Sequence, residues 1–163
     1  MIVLPPKNDD DGCEVRVLLA ECRTPSFSSY TLADAITSMQ LMDRVIFNRL
    51  ANPGPFGAKG ATTVADVVKA RGQFAGFQNY PKFDASIANR IQAALNIANS
   101  TKDKRSSSFQ DHFNAAIQIA NDQSIADPSP GTLVAWRTAG SGSPGANFKL
   151  HTTLMGIAYF FIP

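Results

Sequence analysis

The stretch Cys13-Glu-Val-Arg-Val-Leu-Leu-Ala-Glu-Cys-Arg23 decides how this chain is read. Val15, Leu18, Leu19 and Cys22 stand at i, i+3, i+4 and i+7, so a helix brings them onto one apolar face. At 100° per residue, Glu21 falls at the margin of that face. It is one of only two glutamates among 163 residues. Partial burial penalises an ionised carboxylate, and a glutamate so placed can keep its proton near neutral pH and act as a general acid. Arg23, two positions on, points to another side of the helix. The other reading of Glu21 is a solvated carboxylate on an amphipathic helix.

The same periodicity settles the thiols. Along a helix Cys13 and Cys22 are separated by about 13 Å of rise, whereas a disulfide spans Cα atoms within about 7 Å. Both cysteines are therefore expected to be free. His112 and His151 lie far away in sequence without ligand spacing, so neither a metal site nor a cofactor is expected.

Upstream, Met1 to Asp11 lacks the basic start and apolar run of a signal peptide. Residues 1–12 read as a flexible N-terminal segment, and the chain as one made in the bacterial cytoplasm without a signal peptide. No stretch is apolar for long enough to span a bilayer, so membrane insertion is not expected. With 44% hydrophobic and 17% charged residues, residues 13–163 suffice for one well-buried core and read as a single domain. The formal charge is +2, and Lys102-Asp-Lys-Arg105 is the longest basic run. That balance argues against nucleic acid as a partner.

Downstream, the turn-rich segment Thr24 to Tyr30 leads into a long helix striped by Leu32, Ile36, Met39, Ile46 and Leu50. Asp43 falls inside that stripe, where a carboxylate is either paired internally, with Arg44 or Arg49 for example, or faces a cleft. Asn52-Pro-Gly-Pro-Phe-Gly57 stops the helix. Thr63 and Asp66 have the spacing of a capping box and open a third helix, Val64 to Lys69. Asp84 caps a fourth carrying Ile87, Ile91, Leu95 and Ala98, and a fifth carries Phe109, Phe113, Ile117 and Ala120. Asp127-Pro-Ser-Pro-Gly131 then breaks the pattern. Leu133–Trp136 and Met155–Phe161 read as short strands joined through a flexible loop, Ala139 to Ala146. The fold class is α+β, mainly α: a helical domain with a small C-terminal β-hairpin.

The loop Gly72-Gln-Phe-Ala-Gly-Phe-Gln-Asn-Tyr-Pro81 combines aromatic and amide residues. Flat rings suit pyranose faces and amides suit hydroxyl and N-acetyl groups, which makes Gln73, Phe74, Phe77 and Tyr80 candidate sugar contacts. The alternative is that these rings anchor the loop in the core.

An acid ending the first helix, then Val45-Ile-Phe-Asn-Arg49, the Gln73-Phe74 loop, Ala115-Ala116 with Ile119-Ala120, and Asp127-Pro-Ser-Pro-Gly131 follow one another over most of the chain. Their order and spacing resemble those of the spore-cortex-lytic type of cell-wall hydrolases. The resemblance implies a lysozyme-like fold that cleaves β-1,4 bonds of peptidoglycan glycan strands, as an N-acetylglucosaminidase or a muramidase, with Glu21 as the catalytic acid. The chain is also similar to peptidoglycan glycoside hydrolase effectors of type VI secretion. That similarity implies an antibacterial toxin, secreted to act in the periplasm of a target cell, and a cognate immunity protein occluding its active site. Three departures accompany the resemblance. Cys22 follows Glu21 where the family has alanine, the Thr24 to Tyr30 loop is expanded, and Ala158 stands where the family has histidine.

Glycoside hydrolysis ordinarily employs two carboxylates. Asp43 and Asp34 are the candidates for the second; Glu14, about 10.5 Å from Glu21 along a helix, is a distant alternative or a surface residue. A general base acting on water, participation by the substrate's N-acetyl group, and a lytic transglycosylase reaction with Glu21 as acid and then base all remain open. Two other readings compete. Cys22 with His112 or His151 supplies the thiol and base of a cysteine peptidoglycan amidase, and a cleft without turnover is a peptidoglycan-binding module.

Overall fold

Helix α1, Asp10–Glu21, runs through the middle of the computed structural model, which describes residues 1–163, and is buried from Gly12 to Leu19. Its sides serve two cores. Val15, Leu18, Leu19 and Cys22 enter a large cluster with Met39, Met42, Phe109, Phe113 and Tyr159. Cys13 and Val17 enter a smaller one with Ile46, Val67, Val68, Phe74 and Phe77. The predicted apolar face is present, but the opposite face is covered as well, which takes Glu14 and Arg16 out of solvent. Glu14 is therefore not a surface residue. Both cysteines are free, as the helical spacing requires.

The N-terminal segment expected to be flexible is tied down. The backbone of Ile2 exchanges hydrogen bonds of 2.6 and 3.0 Å with the Asn99 amide, and Ile2 and Leu4 pack on the large cluster. Arg16 donates to the carbonyls of Pro5 at 3.0 Å and Gly12 at 2.6 Å. Gly12 lies so close to the chain that a Cβ there would sit 1.8 Å from the Pro6 carbonyl oxygen. Only glycine fits that crossing.

Helix α2, Leu32–Ala51, starts at Thr31, whose hydroxyl accepts from the Asp34 amide. Helix α3, Val64–Lys69, opens on the capping box of Thr63 and Asp66. Asp10 of α1 adds acceptors for the Val64 and Ala65 amides at 3.2 and 3.3 Å, so the orphan donors of α3 tie it to α1. Helix α4, Ala85–Ala98, is capped by Asp84, and α5 covers Ser106–Ala120. Helix α5 packs on α1, α2 and α4, while α2 also supports the sheet. None of these helices is long and apolar enough to cross a membrane.

The C-terminal sheet has three antiparallel strands, β1 (Thr132–Thr138), β2 (Lys149–Leu154) and β3 (Ile157–Ile162), in the order β1-β3-β2. The expected two-stranded hairpin is thus incomplete. Strand β2, Lys-Leu-His-Thr-Thr-Leu, is a half-exposed edge without a buried apolar face, so it gives no hydrophobic signal. Met155 and Gly156, read as strand, form the β2–β3 turn with φ of 46° and 75°, the left-handed pair that a two-residue hairpin turn requires. Central β3 is buried from Ile157 to Phe161. The architecture is α+β, mainly α.

Candidate active site

Helix α1 ends at Glu21 because Cys22 turns extended, with ψ of 147°, while its amide still bonds to the Leu18 carbonyl. Glu21 therefore projects from the last helical position of the central helix, half-buried. The other parts of the site reach it through the Asn48-Arg49 pair in the last turn of α2. Asn48 donates to the Asp127 carboxylate at 2.6 Å and to the Leu133 carbonyl at 2.8 Å. Asp127 also accepts from the amides of Ser129 and Leu133 at 2.9 and 2.8 Å. Burial pushes the Asp127 carboxyl up, yet these donors outweigh it and hold the group below the usual carboxylate range. The Asp-Pro-Ser-Pro-Gly turn is thereby fastened to α2 and sets where β1 begins.

Arg49 completes the frame. Its Nε donates to the Val134 carbonyl at 2.7 Å, and its Nη1 donates to Gln73 Oε1 at 2.7 Å. The guanidinium also lies 5.3 Å from the Phe56 ring centre and 5.4 Å from that of Phe74. Burial lowers its pKa to about 10, which leaves it charged at neutral pH. One side chain thus links α2, β1 and the Gln73-Phe74 loop.

Two residues beyond Val134 on β1, the indole of Trp136, the chain's single tryptophan, donates to Glu21 Oε2 at 3.3 Å. Its ring packs against Phe74 with centroids 5.4 Å apart. Glu21, Arg49, Gln73, Phe74, Trp136 and Arg137 line a cleft of about 200 Å³. Glu21 is the only carboxylate on its walls. The arrangement offers a proton donor or acceptor, the Trp136 ring backed by the buried Phe74 as an apolar face, and amide and guanidinium donors for polar substituents.

Comparison with protein families, with curated proteins and with solved structures finds no match to this chain.

The structure brings three of the residues predicted from sequence together, Glu21, Gln73 and Phe74. Phe77 and Tyr80 go elsewhere: both are buried in the smaller core, stacked with Phe83 at centroid distances of 5.2 and 5.9 Å. They anchor the loop. Neither candidate for the second carboxylate reaches the cleft. Asp34 lies in the first turn of α2, at the opposite end from Arg49. Asp43 is fully buried, 2.6 Å from Arg44 Nε, with the carboxyl of Glu14 beside it. Glu14 Oε1 and Asp43 Oδ1 are buried with no other partner, so one of the two carboxyls keeps a proton and donates it to the other. Burial, with the Asp43 charge beside it, pushes Glu14 up to about 10 and makes it the protonated partner. Burial also raises Asp43, against the pull of Arg44 and the Glu14 hydrogen bond.

The thiol reading fares poorly. Cys22 is 4% exposed, and its Sγ donates to the carbonyls of Arg23 and Ala35 at 3.6 and 3.8 Å. Burial pushes the thiol up to about 11, whereas a nucleophilic cysteine needs the opposite. His112 is sealed in the core, bonds to the Tyr30 hydroxyl at 3.3 Å, and is lowered by burial to about 4. His151 sits edge-on to Phe161 on β2. No three side chains among histidine, cysteine, aspartate and glutamate gather into a set that could hold a metal ion.

Sequence reasoning missed Trp136, Arg137 and Thr138 as parts of the cleft and met Arg49 only inside a motif. A lone tryptophan just beyond the Asp-Pro-Ser-Pro-Gly turn is the one signal that could have drawn attention to β1. No local pattern tells that β1 faces the end of α1.

Proposed function

We propose that this protein cleaves β-1,4 bonds in the glycan strands of peptidoglycan with Glu21 as the general acid. The observation that carries the reading is that a single carboxylate, hydrogen-bonded to an indole, stands in a cleft walled by aromatic, amide and guanidinium groups. Glu21 gives its proton to the leaving glycosidic oxygen as the bond to C1 breaks. Trp136, backed by the buried Phe74, offers apolar surface to a sugar ring, and Gln73 and Thr138 offer hydrogen bonds to its substituents.

A second protein carboxylate would lie about 5 Å away for retention or roughly 6.5 to 9.5 Å for inversion. Asp43 and Asp34 do not line the cleft, so the attacking oxygen comes from the substrate, from its N-acetyl carbonyl or a ring hydroxyl. Glu21 then acts as base in the second half of the reaction and recovers the proton it gave. Attack by a ring hydroxyl leaves an anhydro end and consumes no water; N-acetyl participation followed by water leaves a reducing end.

The resemblance to type VI secretion effectors extends the proposal to an antibacterial toxin acting in the periplasm of a target cell, with an immunity protein that covers the cleft. Periplasmic expression tests this part. Lysis that a co-expressed protein from a neighbouring gene relieves is expected, and harmless expression without any partner overturns it.

Mass spectrometry of purified peptidoglycan digested with the wild type and with Glu21→Gln tests the chemistry. Glycan fragments from the wild type and none from the variant are expected, and the new ends distinguish the two attacking groups. Release of stem peptides without glycan cleavage would restore the amidase reading. Binding without any cleavage would make the protein a binding module.

A further inference from the structure

Glu21 belongs to more than one depression. On its other side, a hollow of about 260 Å³ is lined by Arg23, Thr24, Ser26, Phe27 and Arg90. The two hollows share Glu21 as a lining residue and so lie side by side at the end of α1 as the two parts of a groove, Arg49 and Arg137 lining one part and Arg23 and Arg90 the other. Each hollow is therefore lined by two guanidiniums.

None of the four has an acidic partner. The ion pairs of the molecule involve Arg44, Lys69 and Arg105, all away from the groove. The groove arginines are instead held by backbone carbonyls. Arg23 donates to Met155 at 3.4 Å, Arg49 to Val134 at 2.7 Å, Arg90 to Ala20 at 2.9 Å and Arg137 to Ser143 at 3.4 Å. A carbonyl positions a guanidinium without cancelling its charge. Each keeps further N–H donors in the planar fork that suits a carboxylate. Unneutralised cations along a groove attract an anionic ligand and fix its register.

We propose that Arg23, Arg49, Arg90 and Arg137 make the groove through Glu21 a binding site for carboxylate groups carried at intervals along the glycan. The inference rests on the glycan-cleaving reading above. It separates this site from one made for neutral polysaccharides, where a guanidinium serves only as a hydrogen-bond donor and its charge has no counterpart. In peptidoglycan, the stem peptides supply carboxylates, and the lactyl group of a sugar supplies one only where no stem peptide is joined to it.

The test compares native peptidoglycan with the same material after carbodiimide coupling to ammonia, which turns its carboxylates into neutral amides and leaves the glycan intact. Binding by Glu21→Gln and by the wild type is measured by co-sedimentation, alongside cleavage by the wild type. Binding of the native material about tenfold tighter is expected, the size a few partly exposed charge pairs produce. That preference should fall with added salt and should drop toward one in the Arg90→Gln/Arg137→Gln double variant, both of whose sites are exposed. A third arm, glycan strands stripped of stem peptides, assigns the source. Stripping frees the lactyl carboxylates, so loss of the preference points to carboxylates farther along the peptide, and its retention shows that a carboxylate beside the sugar ring is enough. Equal binding of native and amidated material overturns the proposal, whatever the cleavage assay reports. Absence of cleavage with the binding preference intact overturns the glycosidase reading alone.

Discussion

The two glutamates of this chain lie on one helix, seven residues apart, and live in opposite surroundings. Glu21 ends the helix in a cleft and touches an indole, and unpaired arginines line the two hollows it borders. Glu14, two turns earlier, is 1% exposed and faces a second carboxyl. The same side chain is placed for chemistry with a ligand in one position and locked into a protein-internal hydrogen bond in the other. Access to a groove, rather than residue type or helix face, separates them.

The largest effect expected along this contrast is on activity at the open site. Glu21→Gln removes the proton donor and should lower glycan cleavage by about a thousandfold, measured as fragments released from peptidoglycan, with the circular dichroism spectrum unchanged. A variant that still cleaves at more than a tenth of the wild-type rate would break the contrast, because both glutamates would then be structural.

At the sealed site, the expected effect is on stability. Asp43→Ala leaves the half-buried Arg44 and the Glu14 proton without their partner and should cost about 3 kcal/mol in urea unfolding. Activity of the folded fraction should persist, since neither carboxyl lines the cleft. Loss of turnover with native stability would return Asp43 to the catalytic machinery.

A smaller effect of opposite sign follows from the Glu14 proton. In the folded chain Glu14 holds it up to about pH 10, whereas the unfolded chain releases it near the ordinary value of 4.5. Between those limits the unfolded state binds fewer protons, so this group's contribution to stability is full below pH 4.5 and is lost as pH rises through about 10. Glu14→Gln keeps a donor for Asp43 and has nothing to ionise. It should be more stable than the wild type at pH 8 by at least about 1 kcal/mol, with the gain vanishing near pH 4. Thermal unfolding across that range measures it, and parallel curves for the two proteins would remove the shared-proton account.

The smallest expected effect sharpens the open side. Trp136→Phe keeps a ring against Phe74 and deletes the N–H that donates at 3.3 Å to Glu21. A bond of that length to a carboxylate is worth about 1 kcal/mol, so cleavage should fall by roughly fivefold with little change in melting temperature. No change would show that the indole serves only as packing.

Much of the fold was legible because its signals are local. The third helix lies where Thr63 and Asp66 put it, Asp84 caps the fourth, and the helical spacing of Cys13 and Cys22 excludes their bridge. Strand β2 escaped because an exposed edge strand carries no apolar alternation. Phe77 and Tyr80 escaped for a related reason: aromatic rings that anchor a loop and rings that greet a sugar have the same composition, and only the neighbours tell them apart.

The sequence by itself determined the helices, the caps of the third and fourth, the mainly α class and Glu21 as the carboxylate worth asking about. Those depend on periodicity and on hydrogen bonds between residues a few positions apart. Only the tertiary structure decided that Asn48 and Arg49 carry β1 to the end of α1, that Trp136 meets Glu21 across a separation of 115 residues, and that Asp43 closes on Glu14. Those contacts join distant segments whose approach is set by how two cores pack on either side of one buried helix, and no local pattern encodes that packing.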